Sequence, residues 1–263
     1  MNAPEGSDAS ATPGADEAVR RPGWRIERTE WPLFLASAGY FFCLLCSYYI
    51  LRPVRETAGI AGDENVLHKL FLATFLVMLF AVPIYGALVA RVPRIRFIAG
   101  STCVFALQLI ILVICFRAYP DSRIVIGRVF FVWLSVYNLY VVSIFWSLMV
   151  ERWTLEAGKR LFGPIMAAGS AGALIGSQIT ARLKSLENED LMVIAVLVLL
   201  GTLGFLAWIA RLEPRSGRTD TTPLGGSVIA GLQTIVWSPY LRRAALYLFF
   251  LTLCGTLVYL SKN

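Results

Sequence analysis

Seven stretches of the chain, 31–51, 70–90, 97–116, 129–150, 161–181, 191–210 and 244–261, contain no Asp, Glu, Lys or Arg. Each is close to the ~20 residues with which a helix crosses ~30 Å of hydrocarbon. Charged residues bracket them, as Lys69 and Arg91, Arg128 and Glu151, and Arg160 and Arg182 do. Lipid cannot satisfy exposed backbone N–H and C=O groups, and these runs lack the alternation of barrel strands, so helices are the predicted geometry. Composition points the same way. Of 263 residues, 57% are hydrophobic and 16% charged, whereas a soluble domain carries about a quarter as charges. An ordinary soluble domain, a disordered chain and a coiled coil are all excluded on that ground.

The organisation follows from what lies between the runs. Residues 1–30 open with a stretch rich in Ala, Gly, Pro, Ser and acid, with no basic region leading into an apolar core. That reads as a disordered tail and not a signal peptide. Residues 31–210 then form a six-helix transmembrane bundle, 211–243 a linker marked by Pro214, Pro223, Gly225 and Gly226, and 244–263 a seventh helix. Of the 24 Lys and Arg, 15 fall on the side of the N-terminus when the spans are threaded alternately. Positive charge marks the cytoplasm, so the N-terminus and the linker are expected inside. The net charge of +7 is met by anionic lipid and topology, and no single patch calls for nucleic acid. Six helices, a basic linker and a seventh helix is the order in which a transporter of two six-helix halves begins. A second half beyond Asn263, or self-association, is therefore expected for transport.

No catalytic, metal or cofactor site is expected. Cys43 and Cys46 have CxxC spacing, but no second Cys/His pair stands nearby and the one histidine, His68, lies outside the run. All five cysteines sit in apolar stretches as small hydrophobes.

The sharpest polar cluster closes the first run: Ser47-Tyr48-Tyr49-Ile-Leu-Arg52-Pro53-Val-Arg55-Glu56. Helical spacing places Tyr48, Arg52 and Arg55 on one face, and Pro53 is expected to interrupt the helix. Paired guanidinium groups beside tyrosines suit a phosphate or carboxylate. The alternative is that both arginines are interfacial anchors with Glu56 as local partner. On the fourth run Ser135, Asn138, Val142 and Trp146 share a face; the Asn138 amide requires either another helix or a wet cavity. On the fifth, Ala168, Gly172 and Gly176 form a small-residue ridge for close helix packing, expected to meet the absent half or a second copy.

Two resemblances arise from these segments. Gly86-Ala-Leu-Val-Ala90-Arg91-Val-Pro93-Arg94 resembles the cytoplasmic loop motif of the major facilitator superfamily, with Ala90 in place of its Asp. Tyr48-Tyr49-Ile-Leu-Arg52-Pro53-Val-Arg55-Glu56, read with Phe145-Trp146 and Glu156-Ala-Gly-Lys159-Arg160-Leu-Phe162-Gly163, resembles the bacterial and plastidic ATP:ADP antiporter family. Arg55 stands where that family has a substrate-linked lysine, Glu56 where it has Asp, and 133–140 lacks its acidic residue.

The resemblance implies a major-facilitator-like N-terminal bundle in a bacterial inner membrane. It implies alternating-access transport of an anionic solute, with nucleotides and other phosphorylated solutes as candidates; enzymatic activity is not expected, because the sequence offers no catalytic constellation. Arg55 is the expected anion contact, supported by Arg52 and lined by Tyr48, Asn138 and Trp146. A non-transporting helical scaffold or regulatory module is the alternative.

Overall fold

The computed structural model describes residues 26–61, 66–89, 94–183, 185–212 and 236–261. Among them the chain is helical apart from short turns. The helices are α1 (Trp31–Ile60), α2 (Leu67–Val89), α3 (Arg94–Ala118), α4 (Arg123–Arg152), α5 (Leu155–Arg182), α6 (Asn188–Arg211) and α7 (Pro239–Ser261), with one 3-10 turn at Pro120–Ser122. Five of them, α1 to α4 and α6, are long and apolar enough to cross a membrane. This is the architecture of an all-helical multi-pass membrane protein. Helix α5 contains the whole 161–181 run, but its Gly and Ser residues dilute its apolarity and it falls outside those five. Most of the N-terminal tail and of the linker lies outside the described residues.

Each helix runs past the uncharged stretch that announces it, because charged residues join its ends. Helix α1 continues to Ile60 through Arg52, Arg55 and Glu56. Pro53 lies inside it and does not break it, contrary to the expectation from sequence. The proline's missing N–H leaves only the Tyr49 carbonyl, one turn back, without its donor, and packing of α1 on its neighbours holds the helix through that point. Helix α5 opens on a capped turn, with the Thr154 hydroxyl accepting from the Ala157 N–H at 3.2 Å and Glu156 in the first turn. Both satisfy the exposed donors and the positive end of the helix dipole.

Helix α1 is the centre of the bundle. It packs on α4, α5 and α6, while α4 packs on α1, α2 and α3, and α3 meets α6. Exchanging α1–α3 with α4–α6 leaves this list of partners unchanged. The α1–α4 seam is aromatic: Phe41 stacks on Phe145 at 4.2 Å between ring centroids, and Tyr40 stacks on the same ring at 5.6 Å. Offset stacks of this kind add to the burial of the rings themselves. The α1–α6 seam includes a buried hydrogen bond from the Ser47 hydroxyl to the Ala195 carbonyl, 2.9 Å.

The glycine ridge of α5 seats on α1. A Cβ on Gly172 would overlap the carbonyl of Phe42, and one on Gly176 would lie 2.5 Å from that of Cys46. Ala168 is half-buried at the edge of the same contact. The expectation that this ridge waits for an absent half or a second copy is thus corrected. Helix packing is its role, but the partner is α1 of the same chain, which offers backbone where the missing side chains leave room.

Ion pairs close both ends of the bundle. At one end Arg160 of α5 binds Glu30, just before α1, at 2.9 Å. At the other, Arg117 binds Asp190 at 2.6 Å and Arg123 binds the buried Glu189, which ties the α3–α4 corner to the start of α6. Helix α7 begins at Pro239, ahead of the expected 244, and packs along none of the other six; its described side chains are largely exposed.

Candidate functional site

Arg55 and Arg52 belong to one helix face by spacing, but the bundle treats them differently. Arg55 points at α4. Its guanidinium carbon lies 4.5 Å over the Phe131 ring, Nη1 donates to the Ser135 hydroxyl at 3.4 Å, and Nη2 is 3.6 Å from Glu56. Only 14% of its side chain is exposed, and its Nε is buried without a hydrogen-bond partner. Arg52 is more open. It makes an ion pair from Nε to Glu56 at 3.5 Å and lies 5.7 Å over the Tyr49 ring.

Glu56 therefore bridges both arginines and neutralises one charge of two. Tyr48 is half-buried, meets Tyr49 edge-on at 5.3 Å between centroids, and lies within electrostatic reach of both guanidinium groups. The net result is one excess positive charge at the α1–α4 seam. Glycines bring the backbones together just beyond it: a Cβ on Gly127 of α4 would overlap the Ala58 carbonyl, and one on Gly59 of α1 would overlap the Phe131 ring. This close approach holds the Phe131 ring against the Arg55 side chain.

The other expected residues divide. Asn138 is half-buried one turn along α4 from Ser135, on the same side as the arginine cluster. Trp146 is not part of that cluster. It lies eleven residues beyond Ser135, about 16 Å along the helix axis, wedged edge-on against Phe41, Phe145 and Phe162. There it fills the contact among α1, α4 and α5. Of the loop-motif residues, Gly86 lies in α2, Arg91 lies outside the described residues, and Arg94 opens α3 with its side chain outside them.

Phe131 was not expected as a site residue, and Ser135 was expected only as part of the polar face of α4, although these two groups hold Arg55. A signal for them exists. An arginine this deep needs a partner on a facing helix, and Ser135 stands on the polar face of α4 one turn from Phe131. Cys43 and Cys46 are free thiols, and no group of three or more metal-ligating side chains occurs among the described residues.

In comparisons with known proteins, no family model, no curated protein and no solved structure matches this chain.

Proposed function

We propose that this protein is a secondary transporter of the major-facilitator type that carries an anionic solute by alternating access, with its N-terminus on the cytoplasmic side of a bacterial inner membrane. One observation carries the reading: the Arg55 guanidinium, held between α1 and α4 over Phe131, with a buried Nε that no protein acceptor takes. An arginine that served only as an interfacial anchor would reach outward to headgroups. A charge kept inward beside a second arginine suits a carboxylate or phosphate, which accepts several N–H donors at once.

The bundle supports the same reading. Its partner list survives exchange of α1–α3 with α4–α6, the relation expected of the three-plus-three repeats within one half of such transporters. The largely exposed α7 is consistent with the first helix of a second half. Together with the sequence resemblance to nucleotide antiporters, this makes nucleotides and other phosphorylated solutes the substrates to try first.

The test is uptake of labelled nucleotides and phosphorylated sugars into vesicles carrying the protein, with Arg55→Ala and Arg55→Lys compared. Loss of a charged partner in a shielded site costs about 2–5 kcal/mol of binding, so Arg55→Ala should abolish measurable uptake. Arg55→Lys should weaken it, because an ammonium lacks the planar fork. Uptake unchanged in both variants would return Arg55 to an anchoring role, and no uptake of any anion by the wild type would favour the scaffold reading.

A further inference from the structure

A groove of about 960 Å³ lies between α2, α3 and α4, on the far side of α4 from α1. It exists because α2 packs along α4 without packing along α3. Its walls are almost wholly apolar, with Val77 of α2, Val104 and Phe105 of α3, and Val129 and Val132 of α4 among them. No carboxylate lines it. Gln108, a neutral polar group of the wall, accepts from the Trp133 indole N–H at 2.9 Å.

Arg128 also lines this groove. Its Nε is buried without a hydrogen-bond partner, and Arg128 enters none of the ion pairs among the described residues. The contrast with its neighbours is sharp: Arg117 and Arg123, at the same end of the bundle, are both neutralised by carboxylates of α6. Arg128 stands five residues into α4, about 7.5 Å from the helix start, beyond the exposed Asp121, Ser122 and Arg123. That depth matches the boundary between headgroups and hydrocarbon, where a bilayer of ~40–45 Å gives way to its ~30 Å core.

We propose that this groove is a binding site for an anionic phospholipid, whose phosphate is held by Arg128 and whose acyl chains lie along Val129, Val132 and Trp133. The complementarity is with one class of molecule: a single negative head joined to a long apolar tail, already present in the surrounding bilayer. Basic pockets between transmembrane helices select anionic headgroups on the same physical basis. A zwitterionic lipid fills the apolar part equally well but leaves the guanidinium beside a compensated charge.

Trp133 is an internal reporter, because its indole borders the groove. The protein is placed in phosphatidylcholine vesicles containing a minor fraction of either brominated phosphatidylglycerol or brominated phosphatidylcholine, and bromine quenching of tryptophan fluorescence is compared. Quenching should favour the anionic lipid about fivefold, the weight of one basic residue near a lipid surface. Arg128→Gln should bring the ratio close to one, Arg128→Lys should keep most of the preference, and Arg96→Gln, at the other end of the groove, should leave it. Trp133→Phe should remove the selective part of the quenching. Equal quenching by both lipids in the wild type, a preference that persists in Arg128→Gln, or selective quenching that survives Trp133→Phe would each overturn the proposal. The last arm stands even if the arginine variants fold poorly.

Discussion

Arg55 and Phe131, on two different helices, meet face to cation at 4.5 Å, and a glycine on each helix lets the backbones approach beside them. The ring does what a carboxylate would do less usefully. It stabilises the guanidinium without cancelling its charge, and Glu56, shared with Arg52, neutralises only one charge of the two.

On the proposed anion-transport reading, Phe131→Leu should lower apparent affinity for the anion while the chain remains folded. A cation–π contact in a shielded site is worth about 0.5–2 kcal/mol, which corresponds to a roughly 2- to 30-fold rise in the half-saturating concentration. Ser135→Ala removes one neutral acceptor and should have a smaller effect. Concentration-dependent uptake, or competition for a bound labelled nucleotide, measures both.

Gly172→Leu should destabilise the single chain. Its side chain must enter the Phe42 backbone, and overpacking of a close seam costs about 1–3 kcal/mol or more. Gly163→Ala serves as the control, because nothing lies within 4 Å of a Cβ there. Thermal melting in detergent should fall for the first variant and stay near wild type for the second. A changed oligomeric state with unchanged melting would reassign the ridge to an interface between chains.

The two ion pairs that reach α6 should differ in weight. Glu189 has 4% of its side chain exposed and Asp190 42%. Arg123→Gln leaves a buried carboxylate short of its charged donor and should cost about 1.5–3 kcal/mol. Arg117→Gln breaks a solvated pair and should cost at most about 1 kcal/mol. Parallel denaturation of the two variants checks the order, and only the second effect should fade in high salt.

Orientation is open to cysteine labelling at Ser122, in the exposed turn before α4, and at Ser216 of the linker, in a background without native cysteines. An impermeant reagent added to intact cells should reach the first and spare the second, given the excess of Lys and Arg on the linker side. The reverse pattern would invert the topology.

Helix locations were legible because lipid excludes charge over a fixed thickness, and the described residues of each uncharged run fall within a helix. Helix ends were less so. Arg52, Arg55 and Glu56 extend α1, and Arg123 and Arg128 begin α4, since a helix does not stop at the first charge that can reach the interface. The spacing of Gly172 and Gly176 announced a close seam but not its partner, which depends on where the carbonyls of Phe42 and Cys46 lie. The cation at Arg55 was legible as chemistry. Its partners were not, because Ser135 stands 80 residues away and only the crossing of α1 and α4 decides which ring it meets.

The central position of α1 has a consequence for the birth of the protein. Its contacts are with helices made later: Ser47 waits for Ala195, 148 residues downstream. At 5–20 residues per second of synthesis, that is roughly 7–30 s. Until α4 is made, its Phe131 lying 76 residues downstream, Arg55 has no ring to lie on, and only after α5 and α6 follow is the helix enclosed by all three of its main partners. Assembly here proceeds from a first helix that is kept in waiting, since its main partners all follow it in the chain.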